Sequence, residues 1–293
     1  MSTLDLRPLS IGELLDRTFS LYRRNFLLFV GISALPQLLV LALQLVQVIL
    51  TPTKAAVALP TTTEFQAAAS PLFTSVGVAG IILLVIVGII VYFIAYLFSQ
   101  GATVYAVSEL YLGRATTIGQ SLSRVRGELG SLLGVIILNG LVTGLSFLLL
   151  IIPGIYMACR LCVCIPAALL ENLGPRDSLE RSFALTKDNA GRAFLILLTY
   201  VVILYAALFL FDIPFGIAIA SAAHDPAMLR VWTALMQVGN FIATVLVTPV
   251  FTIAASIFYF DLRVRKEAFD LQLMMNPQAA GVPAPRSATG LLS

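Results

Sequence analysis

The sequence predicts an all-α integral membrane protein with six transmembrane helices in three repeated hairpins, each hairpin preceded by an amphipathic cytoplasmic surface helix. Composition is the first observation behind this fold class. Of 293 residues, 59% are hydrophobic and only 11% charged, against about a quarter charged in soluble domains. No soluble core of this length buries so much apolar surface. The placement of charge is the second observation. If the hydrophobic stretches cross in turn, all 18 Lys and Arg residues except Lys54, Arg160 and Arg230 fall in segments on one side. Basic residues in short loops resist translocation, so that side, with both termini, is expected to be cytoplasmic. The third observation is a motif that occurs three times.

Hydrophobic stretches at about 26–50, 76–98, 129–152, 155–171, 193–211 and 237–260 each approach the ~20 residues needed to cross hydrocarbon. The fourth is short and holds Arg160 and Pro166. Were it not to cross, Arg176, Arg181, Lys187 and Arg192 would lie outside, against the charge rule. The segment before the first span carries Asp5, Glu13 and Asp16 among its arginines. It lacks the short apolar core and small-residue cleavage site of a signal peptide and reads as mature protein. The outer side then holds a loop with Lys54, Thr61 to Thr63 and Glu64, a tight Pro153-Gly154 turn, and a stretch from Asp212 to Arg230. Pro214 is expected to break or bend the fifth helix, leaving 215–223 in the outer interface. Residues 1–275 read as one six-helix membrane domain. The tail 276–293, rich in Pro, Ala, Gly and Ser, has no periodic apolar face and is expected to be a disordered cytoplasmic tail.

The repeated motif stands before the first, third and fifth spans as IGELLDR (11–17), IGQSLSR (118–124) and PRDSLER (175–181). It aligns Leu15, Leu122 and Leu179, each followed two residues later by Arg17, Arg124 or Arg181. Ser10 with Glu13 and Thr117 with Gln120 have capping-box spacing, and Pro175 suits the first turn of a helix. In the first copy Ile11, Leu15, Thr18, Tyr22 and Phe26 share one face, and Glu13, Asp16, Arg17 and Arg24 the other. That is the pattern of a helix lying in the membrane interface. Arg17, Arg124 and Arg181 are therefore candidate lipid headgroup contacts, and anionic membrane lipid is the expected partner. An unidentified membrane protein partner fits the same helices. Nothing interleaves the basic residues with aromatics as a nucleic-acid groove requires.

At these residues the chain also resembles a known family. RPLSIGELLDRTFSLYRRNF, GATVYAVSELYLGR, PGIYMACRL, PAALLENLGPRDSLERSFALTKDNAGRAF and YFDLRVRKEAFDLQL, spread in order from Arg7 to Leu273, are similar to the glycerophosphoryl diester phosphodiesterase membrane-domain family. The resemblance implies a prokaryotic, multi-helical domain of the cytoplasmic (inner) membrane, which some relatives carry beside a soluble phosphodiesterase barrel. The catalytic acids and histidines of that barrel have no counterpart in this chain, so the resemblance implies a fold and an address without an activity.

The search for chemistry returns no catalytic, cofactor or metal motif. His224, the single histidine, reads as a solvated loop residue beside Asp225. Cys159, Cys162 and Cys164 sit at offsets that do not converge three sulfurs on one point of a helix, and read as small apolar packing. No P-loop, GxSxG or dinucleotide fingerprint occurs. Polar groups inside the spans hold more interest. Asn139, in the third span, must face protein or water, as an interhelical hydrogen-bonding group or a substrate contact. Gly130 with Gly134, and Gly140 with Gly144, predict close helix packing, with a sliding gate as the alternative. Arg160 either pairs with Asp212, snorkels outward or binds a substrate. Asp261 and Arg265 stand at i and i+4, where opposite charges meet on a helix. The function this supports is a non-enzymatic, lipid-engaging membrane scaffold or accessory protein. The alternatives are a transporter or permease for a small or lipidic substrate and, third, an intramembrane enzyme.

Overall fold

The computed structural model describes residues 8–50, 75–222 and 225–267. The loop from Lys54 to Glu64, His224 and the tail 276–293 lie outside the described residues. Every regular element among those described is an α-helix: α1 (Ile11–Arg24), α2 (Phe26–Leu50), α3 (Ser75–Tyr111), α4 (Ile118–Arg126), α5 (Leu129–Leu149), α6 (Ile151–Arg160), α7 (Cys164–Glu171), α8 (Pro175–Thr186), α9 (Ala190–Ser221) and α10 (Pro226–Glu267).

Five segments are long and apolar enough to cross a membrane: Val85–Tyr111, Leu129–Leu149, Ile151–Glu171, Ala190–Ser221 and Ala227–Glu267. A sixth is present if Phe26–Ala34 and Pro36–Ile49, bent by 44°, count as one span. Pro36 removes a backbone donor at the bend, a common cause of a sharp kink. The chain is therefore multi-pass, with α6 and α7 together as the fourth stretch.

Several boundaries differ from expectation. The break between the third and fourth stretches falls at Leu150, so Pro153 and Gly154 lie in the first turn of α6 and form no turn between spans, and α10 begins at Pro226, inside the stretch expected to lie outside. α3 does not end at Phe98 but continues to Tyr111, so Gln100 does not open a loop. The polar pair Ser99–Gln100 marks a buried seam instead of a water boundary. The Ser99 hydroxyl donates to Ser33 Oγ at 3.4 Å, and Gln100 Oε1 accepts from the Thr252 hydroxyl. α9 likewise runs through Pro214 to Ser221. One missing amide leaves the rest of the ladder intact, so Pro214 neither ends the helix nor releases 215–221 from it.

α10, at 42 residues about 63 Å long, is the axis of the molecule and contacts α1, α2, α3, α7, α8 and α9. The buried core gathers at one end of it, where Ile253, Ile257, Phe258, Tyr259 and Leu262 meet Leu14, Phe29, Ala102, Val107 and Leu132. That end also carries α1, α4, α8 and most of the charge; we call it the charged end. Toward the opposite, apolar end the helices present Leu83, Ile90, Leu148, Ile152, Leu210 and Ile217 outward, as a lipid-facing surface requires.

The three motif copies start their helices in the same way. Ser10, Thr117 and Gly174 are N-caps at aligned positions, and the first two form complete capping boxes. Leu14, Ser121 and Ser178 are buried, as are Thr18, Val125 and Ser182 one turn on. Each helix packs against the stretch that precedes it in a cyclic order: α4 on α3, α8 on α7, and α1 on α10. α8 is not a flat surface helix. Leu179, Leu185 and Thr186 are buried, and it also contacts α5, α6 and α10.

Of the glycines expected to allow close packing, one does. A Cβ on Gly134 would stand 2.7 Å from Pro175 Cγ, whereas Gly130, Gly140 and Gly144 have nothing within 4 Å. Gly134→Ala is expected to cost about 1–3 kcal/mol by overpacking. Gly140→Ala is expected to be neutral or stabilising by up to ~1 kcal/mol through helix propensity. Thermal unfolding of the two variants in detergent measures the contrast.

Candidate functional site

Three carboxylates organise the charged end, and each is held by arginine. Glu109 is placed by the end of α3. Gly113, at φ +76°, supplies the left-handed residue that turns the chain back, and the Arg114 amide donates to the Glu109 carbonyl at 2.9 Å. That turn brings Arg114 Nη1 to 3.4 Å from Glu109 Oε2. Arg124 of α4 donates from Nη1 to Glu109 Oε1 at 2.7 Å, with its guanidinium 5.6 Å from the Tyr105 ring centroid. Tyr105, Glu109, Arg114, Thr116, Ser121 and Arg124 are among the residues lining a cavity of about 280 Å³.

Glu171 occupies the corresponding place at the end of α7, which Asn172 closes at φ 53°. Arg181 Nε donates to both of its carboxylate oxygens, at 3.0 and 2.8 Å, and the Tyr259 hydroxyl donates to Oε1 at 2.6 Å. Arg181 also pairs with Glu267, to which Arg263 donates at 3.0 Å. Burial alone would lower the Arg181 pKa, but hydrogen bonds and charge from Glu171 and Glu267 outweigh it and leave the pKa raised.

Asp261 is the most enclosed, its side chain fully buried. It accepts the Leu9 amide at 2.7 Å, Arg192 Nη1 at 2.7 Å and Arg265 Nε at 3.0 Å. The same two arginines donate to the Leu9 carbonyl at 2.7 and 2.6 Å. The i,i+4 contact of Asp261 with Arg265 is as the sequence spacing predicts. Arg192 and Leu9 are long-range partners that no local spacing announces. About four turns back along α10, the Tyr22 hydroxyl of α1 donates to the Leu246 carbonyl at 2.9 Å, and burial raises its pKa to about 12.

The sequence-derived site residues fare unequally against this geometry. Arg124 and Arg181 are bound to carboxylates of their own chain, Glu109 and Glu171. Arg17, half-buried on α1, also has an interaction within the chain. Asn139 forms no interhelical bond among the described contacts; its Oδ1 accepts from Thr143, one turn along the same helix, at 3.2 Å. Arg160 does not pair with Asp212 and does not snorkel outward. It donates to the Phe183 carbonyl at 2.8 Å while its own carbonyl accepts from Ser182 and Thr186. α8 has no basic residue in its last turn. Arg160, and Lys266 through bonds of 2.8 and 2.9 Å to the Ala184 and Lys187 carbonyls, supply the cations its C-terminus favours. Asp212 Oδ1 is buried without a partner. Cys159 and Cys164 are buried in the packing and unbonded to each other, as their small apolar reading suggests.

Glu109, Glu171 and the long-range role of Asp261 are the residues sequence reasoning missed. Their signal was available: each acid ends an apolar stretch in SEL, LEN or FDL, shortly before a basic residue. Compared with known proteins, the chain matches no family model, no curated protein and no solved structure.

Removing the Asp261 carboxylate strands two guanidiniums and an amide. Asp261→Ala is expected to destabilise the protein by about 3–5 kcal/mol, and Asp261→Asn, which keeps an acceptor for Leu9, by less. Thermal unfolding of the purified protein in detergent tests the order.

Proposed function

We propose that this chain is a non-enzymatic, lipid-engaging protein of a prokaryotic cytoplasmic membrane. In this reading it is a member of the glycerophosphoryl diester phosphodiesterase membrane-domain family, a membership carried by the motifs alone. Its six spans are three hairpins, each introduced by one capped helix, with the charged end and both termini in the cytoplasm. The excess of Lys and Arg at that end supports the orientation.

One observation carries the lipid reading. Between α2 and α3, where Pro36 bends the helix, lies a cavity of about 300 Å³ lined by Pro36, Leu39, Val91, Ile94, Phe98 and Leu122 among others. Its lining is almost wholly apolar, Leu39 and Ile94 are exposed on its outer lip, and Leu122 of α4 closes it toward the charged end. An acyl chain has the shape and polarity for such a cleft. A transporter is the second reading, favoured by the buried seam of Ser33, Gln37, Gln100 and Thr252 between Pro36 and Pro249.

Filling the cleft tests the lipid reading. Ile94→Trp is expected to lower phospholipid retained through detergent exchange about tenfold, the equivalent of ~1.4 kcal/mol, as read by native mass spectrometry. Unchanged retention argues against the cleft as a lipid site. Orientation is tested by cysteine labelling on a background lacking Cys159, Cys162 and Cys164. An impermeant maleimide applied to intact cells is expected to label Ala227→Cys and to spare Ala184→Cys, both exposed positions. Labelling of Ala184→Cys from outside overturns the proposed orientation.

A further inference from the structure

The cavity at the end of α3 holds an unmet demand. Arg114 lines it, and of the three guanidinium nitrogens only Nη1 reaches Glu109, at 3.4 Å. Nε and Nη2 are buried with no hydrogen-bond partner. These two form the side edge of a guanidinium, whose parallel N–H groups match the spacing of two oxygens on one phosphorus or carbon. Leaving such donors buried and unsatisfied costs about 1–3 kcal/mol or more for a charged group. An acceptor that reached this edge would remove that cost.

The rest of the lining selects the acceptor. The guanidiniums of Arg114 and Arg124 line the cavity beside Glu109, with Glu128 against the Tyr105 hydroxyl at its wall; Ser123 donates to the Gln120 carbonyl at 2.9 Å and Thr116 and Ser121 share a bond at 3.3 Å, which leaves one of these hydroxyl protons for a ligand. The cluster suits a tetrahedral, multiply accepting anion better than a neutral or cationic group. The cavity also lies on α4, whose Leu122 closes the apolar cleft beside Pro36. A polar and an apolar cavity meeting on one nine-residue helix match the two ends of an amphiphile.

We infer that the Arg114 cavity binds the phosphate group of a phospholipid, with the Nε–Nη2 edge of Arg114 as its principal donor and Arg124 as its second cation. That edge is closed off in this structure, so binding requires the Arg114 side chain to turn it into the cavity. The inference rests on the lipid reading above and names the headgroup chemistry of that reading. A soluble phosphate ester shares this chemistry, and the experiment separates the two sources.

The full-length protein in detergent is titrated with short-chain phosphatidylglycerol, with the matching diacylglycerol that lacks phosphate, and with inorganic phosphate. Arg114→Gln is expected to weaken phosphatidylglycerol binding about tenfold and to leave diacylglycerol binding unchanged. Arg114→Lys, which keeps the charge and loses the fork, is expected to fall between. If Arg114→Gln does not fold, Ser123→Glu, at an exposed lining position, places a repelling carboxylate and is expected to give the same selective loss. Unchanged phosphatidylglycerol affinity in these variants, with binding still lost in Ile94→Trp, overturns the phosphate site and spares the lipid reading. Arg114-dependent binding of inorganic phosphate as tight as that of the lipid overturns the lipid as its source. Loss of diacylglycerol and phosphatidylglycerol binding together in Arg114→Gln overturns a headgroup-specific role.

Discussion

A buried carboxylate is tolerable only when its charge is met, and Asp261 meets this condition by drawing three separate parts of the chain to one point. Leu9 donates its amide, Arg192 arrives from the start of α9, and Arg265 returns from one turn further along α10. The two guanidiniums then close on the Leu9 carbonyl, so the N-terminal segment is gripped at both its donor and its acceptor. Alternating stripes on the last turns of α10 divide the work. Asp261 and Arg265 face the N-terminus, while Tyr259, Arg263 and Glu267 face α7 and α8 through Glu171 and Arg181. One helix end thereby fixes the relative places of α1, α7, α8 and α9.

The concentration of these contacts at one end follows from solvent. Between lipid-immersed helices there is no hydrophobic drive to associate, because a neighbouring acyl chain is as apolar as a neighbouring leucine. α5 and α9 accordingly leave most of their middle residues uncovered. Where the helices approach water and headgroups, burying Leu14, Val107, Val125 and Phe258 becomes favourable, and charged groups find partners without crossing hydrocarbon. The bundle is joined at that end, and the three capped helices fill the spaces between the long ones.

Legibility in the sequence tracked the range of the interaction. The capping boxes at Ser10–Glu13 and Thr117–Gln120, the Pro175 helix start and the Asp261–Arg265 contact all depend on residues within four positions, and each stands as expected. The third helix outruns its apolar stretch of about 76–98 because Gln100 finds its partner in Thr252, which lies 152 residues away. Arg160 was assigned partners by depth, while its actual partner is a carbonyl, Phe183, that any residue could provide. Glu171 and Arg181 are ten residues apart on either side of a turn, too far for helical spacing and too near to look tertiary. The repeated Leu-x-Arg motif was visible. That Arg124 and Arg181 serve acids of the same chain was not, because Glu109 and Glu171 lie outside the motif.

The grip on Leu9 also orders events in time. Its partner Asp261 lies 252 residues later in the chain, and a ribosome adding about 5–20 residues per second needs on the order of 10–50 s to bridge that distance. For this interval α1 has no α10 to rest on, and its apolar face, with Leu14 and Thr18, must be sheltered by lipid or by the insertion machinery. α1 is thus made before α10 but settles only after it, and the segment at Leu9 acts as a latch that closes only once α10 has entered.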